Sequence, residues 1–556
     1  MEAPPQPRRA GGRVLETKTY RPTLAEFRDP YVYIASIRAE GERYGIVRVV
    51  PPEGWEMDCY VDFTAKAQIG SKRQRVDRLV EGDSFDDGGR YTLSEYAWMA
   101  DAFARSWVRK THPDHSKGED CRYDHDLLED DYWDIVDKGD QGATGVVVDY
   151  GNDVDAADYW SGFPRGPPQD ELNVENLDAC EPFSYEYYAR SGWNLNNIAR
   201  WPGSILRYYE EPVSGVTSPW LYLGMLFSTF PWHNEDNYFY SINYHHAGAP
   251  KQWYGTPGSK ADAFEVVFRD LVNEAGGDLG SGDSLHHINT MVSAYEIAKR
   301  GVPVYALRQL PGEFVITFPR AYHGGFSLGF NVGEAVNFAT PDWVQHARVA
   351  NERYRRSGRL AVISHDRLMF TLRANEGRDT IDGQARRILR EELRRLVVED
   401  LKLRDAAYAS GVRDISKLCT PPANKTDVIN IAATTYDDKR ICIACQHTCF
   451  LSAVGCECSK KDIVCLRHVA YSCQCPNSMK YMIEWESRDA LEALLKELDA
   501  ELGPLPKKRG RDLPIPGGAQ VAEDRGLDPP PSLEEQARMA SALATPRLPG
   551  TTPGPV

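Results

Sequence analysis

His233 and Glu235 flank a single residue in Phe230-Pro-Trp-His-Asn-Glu-Asp236, and His323 lies far downstream in Phe318-Pro-Arg-Ala-Tyr-His-Gly324. On an extended strand alternate side chains leave from one face, so His233 and Glu235 can aim at one point, which His323 reaches from a second strand. Two imidazoles and one carboxylate grouped in this way form the facial triad that holds Fe(II) and leaves positions open for a co-substrate and O₂. This requirement constrains the fold, because the intervening chain must build a sheet that returns His323 to His233. Its sequence suits the task. Tyr240-Ser-Ile-Asn-Tyr244, Lys251-Gln-Trp-Tyr-Gly255 and Gly312-Glu-Phe-Val-Ile-Thr-Phe318 are short aromatic and β-branched runs bounded by Gly and Pro, and they read as strands of a barrel-like sheet.

Length and charge narrow the setting. A chain of 556 residues exceeds one ordinary domain and suggests roughly three to four units. With 42% hydrophobic and 26% charged residues it has a globular composition. The balance of 81 acidic against 65 basic side chains argues against a protein held on DNA by net charge, and suits a basic partner. The longest apolar stretch, Trp220 to Phe230, falls short of the roughly 20 residues that a bilayer requires. The N-terminus, rich in Pro and Arg, lacks the apolar segment of a secretory signal, so an intracellular location is expected.

A second metal signal lies near the C-terminus. Eight of the 12 cysteines fall between Cys442 and Cys475, and in a reducing compartment such clustering reads as metal binding rather than disulfides. Cys442, Cys445, Cys456, Cys458, Cys465, His468, Cys473 and Cys475 supply enough ligands for two tetrahedral Zn²⁺ sites, one of four cysteines and one of three cysteines and a histidine. Spacing leaves open which ligands share an ion. Cys449 and His447 fall outside the pattern, and Cys449 is expected as a buried thiol.

Elsewhere the reading is coarser. Thr23 and Glu26 form a capping-box pattern ahead of a helix, and Gly45 to Val50 reads as a strand ended by Pro51-Pro52. Residues 56–90 read as a polar connection whose run Lys72-Arg-Gln-Arg75 is either a solvated face or a nucleic-acid contact. A helix is expected from Tyr91 to Trp107. The segment Gly118 to Asp140 holds ten carboxylates, either as a solvated loop or as a docking face for a basic tail. Gly145 to Tyr150 reads as a strand, and helical patterns cover Trp343–Tyr354, Arg367–Arg373, Gln384–Leu401 and residues 485–502. Beyond Gly503 the chain is Pro- and Gly-rich, and Pro506-Lys-Lys-Arg-Gly-Arg511 is a nuclear localisation signal or a soluble basic patch.

The run from Trp193-Asn-Leu-Asn-Asn197 to Trp343 resembles the JmjC domain of jumonji histone lysine demethylases, and is most similar to the JARID-type group acting on lysine 4 of histone H3. The segment beginning at Tyr20 resembles a JmjN domain, and the Cys442–Cys475 pattern resembles the five-Cys, His, two-Cys zinc finger that follows JmjC in that group. The resemblance implies an α+β chain whose core is a double-stranded β-helix, jelly-roll or cupin-like. Its expected organisation is a disordered stretch over 1–19, JmjN over 20–56, a linker over 57–91 and the catalytic JmjC domain with a helical lead-in over 92–345. A helical layer over 346–435, the zinc finger over 436–485, a helix over 486–503 and a disordered tail over 504–556 complete it. Residues 57–91 are too short for the ARID and PHD inserts of animal JARID-type enzymes, so a compact form is implied.

The same resemblance implies roles. Iron would sit on His233, Glu235 and His323. Lys251, a lysine within an aromatic strand that needs a partner if buried, would pair with the far carboxylate of 2-oxoglutarate. Tyr150 would donate to that carboxylate, Ser241 and Asn243 would make polar contacts, Phe230 would form a wall and Trp253 the floor, although Phe230 and Trp253 also suit a plain core. Tyr222 would line the methylammonium pocket, where aromatic faces suit a quaternary cation. The implied reaction is 2-oxoglutarate- and O₂-dependent removal of lysine methyl groups, trimethyl included, from the histone H3 tail or nucleosome. A nuclear location and two structural zinc ions follow, no membrane is involved, and chromatin-complex subunits and direct DNA contact stay open. Demethylation of another histone lysine, protein hydroxylation and a non-catalytic scaffold are the alternatives. Two departures, Ala249 where an acidic residue is usual and Asn237-Tyr238 where His or Trp is usual, are expected to bear on substrate preference rather than on iron chemistry.

Overall fold

The computed structural model describes residues 13–503, apart from 83–84, 116–123, 140–144, 210–211, 278–288, 378–380, 382, 416–439 and 460. Part of the acidic segment and the tail over 504–556, with its basic run at 506–511, therefore lie outside the described residues.

The chain enters through two short strands, β1 (Leu15–Glu16) and β2 (Thr19–Tyr20). The expectation of disorder over 1–19 fails from Leu15 onward, residues 1–12 lying outside the described residues. Instead β1 pairs in parallel with Tyr305–Ala306, and β2 with Arg48–Val49. A polar composition does not prevent a short segment from completing the edge of a sheet built elsewhere. The Thr23–Glu26 capping box forms, Thr23 N donating to Glu26 Oε2 at 2.7 Å, yet it heads only the 3₁₀ turn Glu26–Arg28. Pro30 then restarts the chain as the helix Pro30–Gly41, with Asp29 accepting from Tyr31 N at 2.9 Å as its cap. Phe27, before this helix, stacks on Trp193 with ring centroids 4.3 Å apart, so the JmjN-like segment is fused to the main core. Strand β3 (Ile46–Val49) follows and joins the large sheet.

Residues 57–91 are more than a linker. They carry β4 (Ile69–Arg75) and β5 (Asp86–Tyr91), a hairpin at the edge of the large sheet. The hairpin also absorbs the basic run: Lys72 pairs with Asp87 at 2.8 Å and Arg73 with Asp149 at 3.1 Å. Lys72-Arg-Gln-Arg75 is therefore internally neutralised, which favours the solvated-face reading. Helices Leu93–Thr111, capped by Thr92 and Glu95, and His125–Lys138 lead to β6 (Val147–Asp155).

The central fold consists of β7 (Trp220–Gly224), β8 (Thr229–His233), β9 (Tyr240–Gly248), β10 (Lys251–Gly255), β11 (Tyr305–Gln309), β12 (Phe314–Thr317), β13 (His323–Ser327) and β14 (Asn331–Phe338). From β7 to β14 the strands alternate between two sheets, except that β10 and β11 pair within the smaller one. The smaller has the order β1-β11-β10-β13-β8 and the larger β2-β3-β12-β9-β14-β7-β6-β4-β5. This alternation is that of a double-stranded β-helix, and the sheets do not close into a barrel. One aromatic core, with Trp55, Trp193, Phe314 and Trp343, joins the JmjN-like segment and the C-terminal helices to the large sheet. A second, with Tyr132, Trp133, Tyr254, Phe264 and Phe326, packs helices His125–Lys138 and Ala261–Glu274 on the small sheet.

Helices Val344–Ser357, His365–Ala374 and Gly383–Ala409 form the layer after the jelly roll. Helix Arg488–Leu502 returns to them through Arg373–Glu501 at 2.9 Å and Arg394–Asp499 at 3.4 Å. Between them stands a small sheet of β15 (Arg413–Asp414), β16 (Ser452–Cys456), β17 (Ile463–Val464) and β18 (Lys480–Glu484). Among the described residues no helix is long and apolar enough to cross a membrane.

Candidate metal centre and its cavity

His233 closes β8 and His323 opens β13, and the two are direct partners in the antiparallel register. Their rings lie 4.3 Å apart between centroids, and His323 Nε2 stands 3.3 Å from Glu235 Oε1. One donor atom from each of His233, Glu235 and His323 falls within 4.8 Å of the others. The register slips between His323 and Gly325, a bulge that re-aims the imidazole. Gly325 permits the approach: a Cβ there would sit 2.0 Å from the Gln252 carbonyl oxygen.

Backbone carbonyls orient both imidazoles. His233 Nδ1 meets Pro231 O at 2.8 Å and His323 Nδ1 meets Ala321 O at 3.0 Å. Each Nδ1 thus donates to a backbone carbonyl and leaves Nε2 as the ring nitrogen available to a metal. Burial, helped by the neighbouring His323, pushes His233 down to about 4. Burial by itself would raise Glu235, but the hydrogen bond and charge of His323, with His233 and Asn337, outweigh it and hold the carboxyl at about 2. Asn337 Nδ2 also donates to Glu235 Oε2 at 2.9 Å. Two imidazoles and one carboxylate therefore fit Fe(II), with the remaining side open to a cavity.

That cavity, of about 230 Å³, lies between the sheets and contacts all of Tyr150, Tyr222, Phe230, Ser241, Asn243, Lys251 and Trp253 together with the triad. Lys251 is buried, its ammonium 5.6 Å from the ring centroids of both Tyr222 and Phe230. It makes no ion pair among the described residues, and burial lowers it to about 8. Phe230 and Trp253 pack together at 4.6 Å, and Trp253 Nε1 donates to Gln309 Oε1 at 3.0 Å. Ser241 Oγ lies 2.6 Å from Thr317 Oγ1 and accepts from Asn243 Nδ2 at 3.3 Å. Two further lining residues carried no sequence signal: Asn337, and Asp153, whose Oδ1 accepts from Tyr222 Oη at 3.2 Å. Asp153 occupies a bulge between β6 and β7 with φ of 55°, a feature of pairing rather than of local sequence.

Other histidines fall elsewhere. His245 and His246 are buried, and His246 Nε2 meets Glu334 Oε2 at 2.8 Å outside the cavity. His112 meets Asp131 at 2.7 Å. Neither Ala249 nor Asn237 lines the cavity.

The cysteine cluster resolves into two groups, Cys442, Cys445, Cys465 and His468 in one and Cys456, Cys458, Cys473 and Cys475 in the other. In the first, His468 Nδ1 stands 3.2 Å from Cys465 Sγ and 3.8 Å from Cys442 Sγ. Each donor set fits tetrahedral Zn²⁺. Cys449 is buried outside both groups, and His447 turns to Arg355 Nη2 at 2.6 Å. Because so small a sheet has little core, bound zinc would supply most of its folding energy. Chelation of zinc is expected to raise amide exchange across residues 442–485 by about a hundredfold or more while the jelly roll stays protected. Cys458→Ser should halve the zinc content, and Cys449→Ser should leave it unchanged.

The fold and these two centres define a class, a JmjC-type double-stranded β-helix joined to a JmjN segment and a C5HC2 zinc module. Residues 220–338 match the family described as "JmjC domain, hydroxylase", residues 18–51 the jmjN domain and residues 442–494 the C5HC2 zinc finger. Relatives include "Putative lysine-specific demethylase JMJ16" of Arabidopsis thaliana, 32% identical over 90% of this chain and 45% of its own length. "Lysine-specific demethylase JMJ703" of Oryza sativa subsp. japonica is 30% identical over 92% of this chain and 43% of its own. "Lysine-specific demethylase 5D" of Pan troglodytes is 36% identical over 73% and 24%. The chain spans less than half the length of these curated relatives.

Proposed function

We propose that the protein is an Fe(II)- and 2-oxoglutarate-dependent histone lysine demethylase acting on lysine 4 of histone H3, trimethyl-lysine included. The observation that carries this reading is the buried, charge-unpaired Lys251 in the same cavity as His233, His323 and an ionised Glu235. A dicarboxylate co-substrate would meet the ammonium at one end and the metal at the other. Iron bound at the triad would supply oxidation of a methyl C–H at the expense of 2-oxoglutarate and O₂, with succinate and CO₂ as by-products. The resulting N-hydroxymethyl group releases formaldehyde and a proton and leaves a lysine with one methyl fewer. No nitrogen lone pair is required, so a trimethylammonium is a competent substrate.

Each side chain has a task in this scheme. Lys251, with the Tyr150 hydroxyl, anchors the far carboxylate. Phe230 and Trp253 exclude water, and Ser241 and Asn243 orient the co-substrate. Asn337 keeps Glu235 from rotating. Tyr222, with Asp153 hydrogen-bonded to its hydroxyl, offers an aromatic face and a negative charge to the methylammonium. The acidic balance of the chain suits the Lys- and Arg-rich H3 tail. The same reading puts the protein at chromatin in the nucleus, with two structural zinc ions. The choice of lysine 4 comes from the JARID-type resemblance alone.

The test is mass spectrometry of H3 peptides trimethylated at lysine 4, 9, 27 or 36, incubated with the protein, Fe(II), ascorbate and 2-oxoglutarate. Stepwise loss of methyl mass from the lysine 4 peptide alone is expected. Loss from another peptide would move the substrate, and succinate formation with no demethylation would turn the reading toward protein hydroxylation.

A further inference from the structure

Resting on the iron reading above, we propose that Asn237 is a positioning residue through which the helical layer sets the iron ligand Glu235. Asn237 lies two positions beyond Glu235, is fully buried, and touches neither the cavity nor solvent. Its backbone and that of Tyr238 are left-handed, with φ of 51° and 53°. Two such residues in succession are strained and persist only where their surroundings hold them. Asn tolerates this region better than most residues, but a bulky Tyr does not.

What holds the turn comes from the helical layer. Every polar group of Asn237 is bonded to residues 343–363. Its N–H donates to Tyr354 Oη at 2.9 Å, and its carbonyl accepts from Trp343 Nε1 at 3.1 Å. Its side chain accepts from Val362 N at 3.1 Å and donates to Ile363 O at 3.3 Å. The flanking residues are gripped from the same side, Asp236 by Arg359 and the Tyr238 hydroxyl by Arg353 at 3.0 Å. Arg353 also pairs with Glu265, which accepts from Tyr322 Oη at 2.9 Å, next in sequence to His323. The segment that follows the jelly roll thus fixes the turn just beyond Glu235, which itself lies past the end of β8 at His233, and braces the approach to His323. A departure expected to bear on substrate preference instead concerns the frame of the metal site.

The test uses the zinc-loaded full chain and Mn(II), a hard ion that does not displace zinc from thiolates, with affinity read from the EPR signal of free Mn(II). Asn237→Gly keeps the left-handed backbone and removes both side-chain bonds. It is expected to weaken Mn(II) binding by about tenfold to a hundredfold, as loss of groups that orient metal ligands generally does, with circular dichroism unchanged. Tyr354→Phe, which removes one acceptor, is expected to weaken it at least threefold, and Asn237→Asp, which keeps the acceptor for Val362, should fall between wild type and Asn237→Gly. A folded Asn237→Gly protein that binds Mn(II) within twofold of wild type overturns the proposal; if that variant does not fold, an unchanged affinity in Tyr354→Phe does so. His323→Ala serves as control: were it to bind Mn(II) like wild type, the metal reading itself would fail, whatever Asn237 does.

Discussion

His323→Ala is expected to abolish both succinate formation and demethylation while the protein remains folded. His323 contributes one of three donors and is the direct strand partner of His233, so its loss leaves an imidazole and a carboxylate that cannot cap one face of an ion. It also removes the hydrogen bond that helps hold the Glu235 carboxyl down against burial. The fold should tolerate the change, because β13 is carried by its pairing with β8 and β10 and by Phe326 in the core rather than by the imidazole. Melting should shift by only a few degrees, in keeping with loss of roughly 1 kcal/mol of packing. Mass spectrometry of the lysine 4 peptide and a succinate assay read the first effect, and calorimetry the second. A cellular effect that persists with the variant would assign it to a scaffold role and not to catalysis.

The second large effect runs in two directions at once. Lys251→Met should weaken 2-oxoglutarate by on the order of 100-fold, the scale of a charged hydrogen bond, and yet raise the melting temperature of the ligand-free protein at pH 7. Burial lowers Lys251 from 10.5 to about 8, so at pH 7 the folded, ligand-free chain still carries a buried ammonium without a carboxylate partner. That shift corresponds to destabilisation on the order of 3 kcal/mol, which methionine removes. The pH dependence follows. Between about pH 8 and 10.5 the unfolded chain binds a proton that the folded chain does not, so wild-type stability rises through this window relative to the variant. The advantage of Lys251→Met should therefore be full below pH 8, shrink as pH rises and vanish above 10.5. Melts at pH 7 and pH 10, with calorimetric titration of 2-oxoglutarate into Mn(II)-loaded protein, measure both. A variant less stable at pH 7 would mean that the lysine serves packing and not a dicarboxylate.

The parts of the site that could be read without coordinates share one property: their chemistry is encoded by residue type at short spacing. His233 and Glu235 share a face because strand side chains alternate, Lys251 stands out as a charge within an aromatic run, and the Cys and His pattern from Cys442 to Cys475 has few uses other than metal. Local rules also reach the capping box at Thr23, although they do not show that Pro30 cuts the first helix short. The hairpin β4–β5 escaped the same rules because it is polar, sits at a sheet edge and has its register supplied by β6. For the same reason β1 and β2 looked like a disordered end.

The sequence by itself therefore determined the donor types of both metal centres, the charge that a dicarboxylate would seek and the strand-rich character of the core. Only the tertiary structure decided which Cys and His side chains come together in each group of four, that Asp153 and Asn337 face the cavity, and that Asn237 turns away from it into the helices at 343–363. Those outcomes depend on register, bulges and hydrogen bonds between residues far apart in the chain, and neither alternation nor spacing carries that information, because each describes only a residue's near neighbours.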